Sequence, residues 1–237
     1  MYRTTALQRQ LTVVLAISML STLPGCTFMR RALPGSTSAA FTSAESPIRQ
    51  TALNSRDQAN ACLQTALQLA ASEKDEHALR QLQKARSLDS TLPGVAHPLA
   101  VLYDRQGQFG FAELEYQRAM DEGPTADLLN DFGYFRLTQG KLQEARELLM
   151  QAREVAPSHS RATLNLAMVS AAEEDYEAAL NLFGEVVGPA AAHQNVGLLM
   201  ISNGRTTEAR KHLTEARRLD PSLETSSKVL ATLGREI

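Results

Sequence analysis

The feature that most constrains this chain is a spacing. From residue 78 onward a small residue is followed four positions later by a large one, and three positions after that by another small or short one. The sets are Ala78/Leu82/Ala85, Ala112/Tyr116/Ala119, Ala145/Leu149/Ala152, Ala179/Phe183/Val186 and Ala209/Leu213/Ala216, and their first members stand 34, 33, 34 and 30 residues apart. Offsets of four and seven place all three residues on one face of an α-helix. Ahead of each set lies a large–small pair: Leu99-Ala100, Phe132-Gly133, Leu166-Ala167, Val196-Gly197 and a weaker Thr65-Ala66. Each period therefore holds two helices, each with one apolar face. A single such hairpin leaves that face wet, and only a stack of them closes a continuous core.

Residues 126–159 show the unit most fully. Leu128, Leu129, Phe132 and Leu137 recur at helical spacing on the first helix, and Leu142, Ala145, Leu148, Leu149 and Ala152 on the second. Gly140 lies between them, where a residue free to take positive φ ends a helix, and Pro157 closes the unit. The turn glycine recurs as Gly107 and Gly204, the closing proline as Pro124 and Pro221. Repeat one has Glu73 and Ser90 at these two places. Repeat four has Glu174 for the glycine and is shortened around Gly188-Pro189, which must end its second helix early. The expected hairpins are 56–71 with 75–88, 95–106 with 109–122, the 126–159 unit, 161–172 with 176–187, and 190–203 with 206–219. A last helix over 224–236 turns Val229, Leu230 and Leu233 inward and Glu224, Lys228 and Arg235 outward.

On these residues the chain resembles the tetratricopeptide (TPR) family across about five repeats. The resemblance implies an all-α fold, a TPR α-solenoid of helical hairpins with a C-terminal capping helix. It implies a scaffold for protein–protein interactions rather than an enzyme.

The N-terminus reads differently. Arg3 and Arg9 precede an almost wholly apolar run, 11–23, which is too short to span a bilayer and long enough for a signal-peptide core. Leu23-Pro24-Gly25-Cys26 follows and looks like a bacterial lipobox, although Pro24 departs from the usual choice. The expected organisation is a signal peptide over 1–25, a lipidated Cys26 with a flexible linker over 26–54, and a repeat domain over 55–237. Two or more acyl chains on Cys26 anchor stably where one binds marginally. Thr27, rather than Asp, after the cysteine implies by the sorting preference of such lipoproteins the periplasmic face of the outer membrane. The Ser/Thr/Ala/Pro/Gly-rich linker is a tether of roughly 25–30 Å root-mean-square span, with Arg30-Arg31 beside the anchor.

Chemistry is hard to find in the sequence. The 24 basic and 26 acidic residues balance, which gives no electrostatic footprint for nucleic acid. With Cys26 lipidated, Cys62 is alone in the first helix of repeat one and reads as a small buried apolar side chain. His77, His97, His159, His193 and His212 show no metal-ligand spacing, and His159 and His193 are expected as surface side chains. Glu173, Glu174 and Asp175 read as solvated charge at a turn. No paired groups nominate a catalytic pocket, so no cofactor, metal or catalytic residue is expected.

The stack supplies a surface instead. First helices line the concave side of such a solenoid. The side chains expected there are Asn130, Asp131, Tyr134, Thr138, Asn165, Met168, Asn195, Leu198 and Ser202, a mixture suited to an extended peptide or a partner helix. Tyr134, Met168 and Leu198 occupy equivalent places and are equally consistent with packing inside the stack. In TPR relatives, asparagines placed as Asn165 and Asn195 are here often bond the backbone of a bound segment.

A narrower similarity is to the TPR lipoprotein of the tight-adherence (Tad) system, which assembles Flp pili. It rests on DLLNDFGY, LNLA and GPAAAHQNVGLLM, on the shortened fourth repeat and on the lipobox. This resemblance implies a scaffold contacting secretin or pilus-assembly components. The alternatives are the TPR pilotin of type IV pili, a family that usually carries more repeats, a cell-wall-synthesis regulator and, remotely, an envelope enzyme with a TPR accessory domain.

Overall fold

The computed structural model describes residues 47–234, with side chains described from Asn54. The signal segment, Cys26 and most of the expected linker lie outside the described residues. The helices in chain order are α1 (Pro47–Ala71), α2 (Asp75–Leu88), α3 (Ala96–Arg105), α4 (Phe109–Glu122), α5 (Ala126–Thr138), α6 (Leu142–Val155), α7 (Ser160–Ala172), α8 (Tyr176–Ser202), α9 (Thr206–Leu219) and α10 (Glu224–Leu233). The first helix thus begins at Pro47, inside the stretch 26–54 expected as linker.

Two compact units meet in sequence at Glu122/Gly123. One carries the hairpins α1–α2 and α3–α4. The other carries α5–α6, α7 with the first arm of α8, the second arm of α8 with α9, and α10. In each unit the fold is all-α, built of paired helical hairpins.

The repeat pattern is the core. Ala78, Ala112, Ala145, Ala179 and Ala209 are fully buried, as are their large partners Leu82, Tyr116, Leu149, Phe183 and Leu213. The small residues exist to let two helices touch. A Cβ built on Gly133 would lie 2.8 Å from Leu149 Cγ, and one on Gly197 would lie 2.8 Å from Leu213 Cγ. Those two first helices therefore pass their partners backbone to side chain, with no room for a methyl group. Val186 departs from the pattern: it is half-buried where Ala85, Ala119, Ala152 and Ala216 are buried. It sits two residues before the break in α8 at Gly188.

The turns between the two helices of each hairpin share one conformation. Gly107, Gly140 and Gly204 have φ of 71°, 75° and 77°, and Glu73 and Glu174 take their places at 56° and 62°. The left-handed turn is thus kept even where a side chain must pay its steric cost. The shortened fourth repeat has a different solution. At Gly188 (φ 79°, ψ 167°) the helix breaks, and Pro189 starts the next arm with no intervening loop. Those angles belong to a region that glycine alone occupies comfortably. The second helix of repeat four and the first of repeat five are consequently one broken rod.

Polar groups tie neighbouring repeats. The Glu115 carboxylate, 5% exposed, takes both Arg86 guanidinium nitrogens at 2.5 and 2.6 Å and Arg118 at 2.8 Å. Arg105 reaches Asp75 at 3.1 Å, and Arg205 reaches Glu174 at 3.0 Å, each from one repeat back to the turn before it. Arg136 lies over the Phe132 ring at 4.6 Å with its Nε 3.0 Å from the Glu144 carboxylate. Cys62 is buried among Ala59, Leu63 and Ala66. At the far end Leu233 of α10 packs inward, while Val229 and Leu230 are only half-buried. The polar Ser226 is the fully buried member of that helix, donating to Gln194 at 3.0 Å.

Candidate functional site

The site is built on three first-helix segments of the unit that starts at Gly123: α5, α7 and the second arm of α8. Each is held at its base by a cap or a turn. Thr125 Oγ1 accepts from the Leu128 N–H and starts α5. His159 does the same for α7: its Nδ1 accepts from the Ala162 N–H at 3.1 Å, which leaves Nε2 to donate to Asp127 at 3.1 Å. His159 was expected on the surface. It is instead a helix cap that also ties α7 back to α5. That bond, reinforced by Arg161 at 2.6 Å, holds the Asp127 carboxyl below the ordinary carboxylate range against a desolvation that works the other way.

Along these segments the expected residues separate into two groups. Asn130 is buried and engaged. It donates to Asp131 at 2.9 Å and accepts from the Asn165 amide at 2.9 Å, so α5 and α7 are bonded through their amides. Met168 is buried in the stack, which selects packing of the two roles its position allowed. Thr138 uses its hydroxyl on the Phe135 carbonyl and Ser202 on the Leu199 carbonyl, each three residues back in its own helix. Asp131, in reach of Arg161 at 3.5 Å, and Tyr134 and Leu198 remain half-buried on the rim.

Asn195 stands apart. It is 5% exposed, and its side-chain amide makes no hydrogen bond among the described residues. Its neighbour Gln194 is fixed by Ser226. The equivalence of Asn165 and Asn195 read from sequence therefore holds for backbone position but not for bonding: one amide nitrogen is committed to Asn130, the other side chain is not committed.

Sequence reasoning missed two constellations here. One is the amide bridge between Asn130 and Asn165. The other is His193 with His212, whose Nδ1 atoms lie 3.1 Å apart across the α8–α9 hairpin. Both join residues 19 to 35 positions apart, beyond any local motif. Among the described residues no group of three metal-ligating side chains gathers, and no helix is long and apolar enough to cross a membrane.

This geometry is that of an all-α fold of paired helical hairpins, TPR-like in architecture. No protein-family profile matches the chain. A TPR repeat-containing protein of Bacillus subtilis (strain 168), YpiA, is 28% identical over 143 residues, covering 58% of this chain and 34% of that protein. The chain thus matches about a third of the length of that curated relative. Among solved structures, YrrB, described as a TPR protein with an unusual peptide-binding site, aligns with a TM-score of 0.59 at 20% identity over 81% of this chain and 99% of its own. Pseudomonas aeruginosa PilF aligns at 0.57 and 20% identity over 77% and 93%. MamA aligns at 0.53 and 16% identity over 72% and 92%. At these identities the likeness is one of fold.

Proposed function

We propose that the first-helix side of the unit from Gly123 onward binds an extended segment of a partner protein, with Asn195 and Asn165 taking its backbone. The observation that carries this reading is the uncommitted amide of Asn195 at 5% exposure. A primary amide offers two donors and an acceptor, the complement of a peptide unit. With no partner among the described residues, that amide is free to bond a peptide group of a bound segment. Leu198 on the same arm and Tyr134 on α5 are half-buried and add apolar surface along the first helices. Replacing Asn165 and Asn195 together by Ala is expected to weaken partner binding about 5- to 100-fold if the two bonds add, each neutral bond being worth roughly 0.5–1.5 kcal/mol. Titration against the candidate secretin, beside thermal melts, measures this. Unchanged affinity rejects the groove assignment, and a large drop in melting temperature makes the amides structural.

The setting we infer is an envelope machine, with the scaffold tethered through Cys26 at the periplasmic face of the outer membrane. Of the machines that the sequence resemblance offers, the pilotin alternative is better supported than the Tad/Flp pilus. The fold is similar to that of PilF over 77% of this chain and 93% of that one, which supports the pilotin reading; nothing in these similarities singles out Tad/Flp. The LPGC motif motivates the anchor. Cys26→Ser is expected to leave a soluble or uncleaved precursor. A variant that is processed normally and still floats with membranes rules the lipoprotein out.

A further inference from the structure

His193 and His212 are remote in sequence and meet inside the last hairpin. Their Nδ1 atoms are 3.1 Å apart and their ring centroids 5.1 Å apart, tilted by 38°. Both side chains are half-buried. His193 lies on the arm of α8 that follows Gly188, two residues ahead of Asn195. His212 precedes Leu213, the fully buried residue that fills the face of that same arm at Gly197.

The proton inventory of such a contact is fixed by imidazole chemistry. With both rings neutral, one Nδ1–H donates and the other Nδ1 accepts. One added proton keeps the bond, because an imidazolium Nδ1–H still donates to the neutral ring, now with charge assistance. A second added proton leaves two donors and two positive charges face to face, in a place partly shielded from water. We infer that the His193–His212 contact is an acid-opened clasp on the hairpin that carries Asn195: it holds α8 to α9 while one Nδ1 keeps its lone pair, and it releases when both rings are imidazolium.

The surroundings do little to relieve the doubly charged state. Glu208 and Glu215, the carboxylates that act on the pair, are both on α9 and are held by Arg205 at 2.8 Å and Arg218 at 2.6 Å. Also on α9, Arg210 donates to the Leu233 carbonyl, and Lys211 and Arg217 face outward. On α10, Glu224 and Lys228 bond each other at 2.6 Å. On α7 the one titratable side chain is Arg161, bonded to Asp127. On α8, Glu177 and Glu185 stand ahead of the break, Glu185 with Arg153 of α6. Burial first, and the charge of His193 second, hold His212 below the ordinary histidine value, while Glu208 pulls the other way. For a group depressed in the fold, stability is fully present above the unfolded value of about 6.5 and is lost as pH falls through the folded value.

The consequence at Asn195 rests on the groove reading, since opening the hairpin would disorganise the wall that presents that amide. The clasp itself is tested without any partner. Thermal melts of the protein at about pH 7.5 and about pH 5 are compared for the wild type, His212→Gln and His193→Gln. The wild type is expected to lose about 2–4 °C more on acidification than either variant, the shift that a 1 kcal/mol change gives in a chain of this size. Hydrogen exchange is expected to place the acid-induced opening in the second arm of α8 and in α9, not in α5 and α6. Equal acid losses in the wild type and in whichever variants fold, or opening spread evenly over the unit, overturn the clasp. Asn195→Ala leaves the acid loss unchanged, so a failed groove and a failed clasp are told apart.

Discussion

Leu213→Ala is expected to lower stability by about 2–5 kcal/mol and Gly197→Ala by about 1–3 kcal/mol, while the double variant falls short of the sum. Leu213 is fully buried, so truncation removes apolar burial and leaves a cavity. Gly197 has the opposite defect: an added Cβ would stand 2.8 Å from Leu213 Cγ, 3.0 Å from its Cδ2 and 3.2 Å from the Ala209 carbonyl oxygen. Two of those three clashes are with the side chain that Leu213→Ala removes. The third is with backbone and persists, so rescue is partial. Urea titrations of the four proteins measure the coupling. Strict additivity would mean that the helices slide apart to admit the methyl group, and the close crossing would then not be the reason for glycine at this place. Gly133 with Leu149 repeats the geometry and serves as an independent copy of the experiment.

Glu115→Ala is expected to cost about 2–4 kcal/mol, below the full penalty for breaking a buried pair. The discount follows from Arg86, whose side chain is 30% exposed and finds water once its partner is gone. The same carboxylate also holds Arg118, but that side chain is 59% exposed, so Arg118→Ala is expected to change stability by no more than about 1 kcal/mol. The two arginines are thus distinguished by burial and not by distance. Denaturation midpoints check this ordering. Equal losses for Glu115→Ala and Arg118→Ala would mean that the Arg86 bond between repeats adds nothing, and would reduce the cluster to a surface ion pair. The Arg86 guanidinium is held above its ordinary range first by its bond to Glu115, which is the direction expected of a partner that favours the charged form.

What the sequence determined by itself was the hairpin and its face. Helix period and the small–large–small spacing are local properties, and every alanine that leads a set is fully buried. The turn positions were legible too, because a left-handed residue between two antiparallel helices is required by the chain reversal. Glu73 and Glu174 take it on where no glycine is present. The early end of the fourth second-helix was legible from Gly188-Pro189, since proline cannot sit inside a helix without breaking it.

What only the tertiary structure decided was how the polar side chains of one hairpin meet those of the next. The bond from Asn165 to Asn130, the burial of Glu115 under Arg86, the cap from His159 to α7 with its reach to Asp127, and the contact of His193 with His212 all depend on the rotation of one helix about its axis relative to another. A rotation of a few tens of degrees leaves the apolar period intact and moves a polar tip by several ångströms. Hydrophobic burial is non-directional and tolerates that change, and so it writes a repeating signal into the sequence. Hydrogen bonds are directional and short, and so their partners are fixed only when the hairpins have stacked. For that reason Asn165 and Asn195 were readable as equivalent backbone positions, while the bond that one makes to Asn130 and the other lacks among the described residues was not.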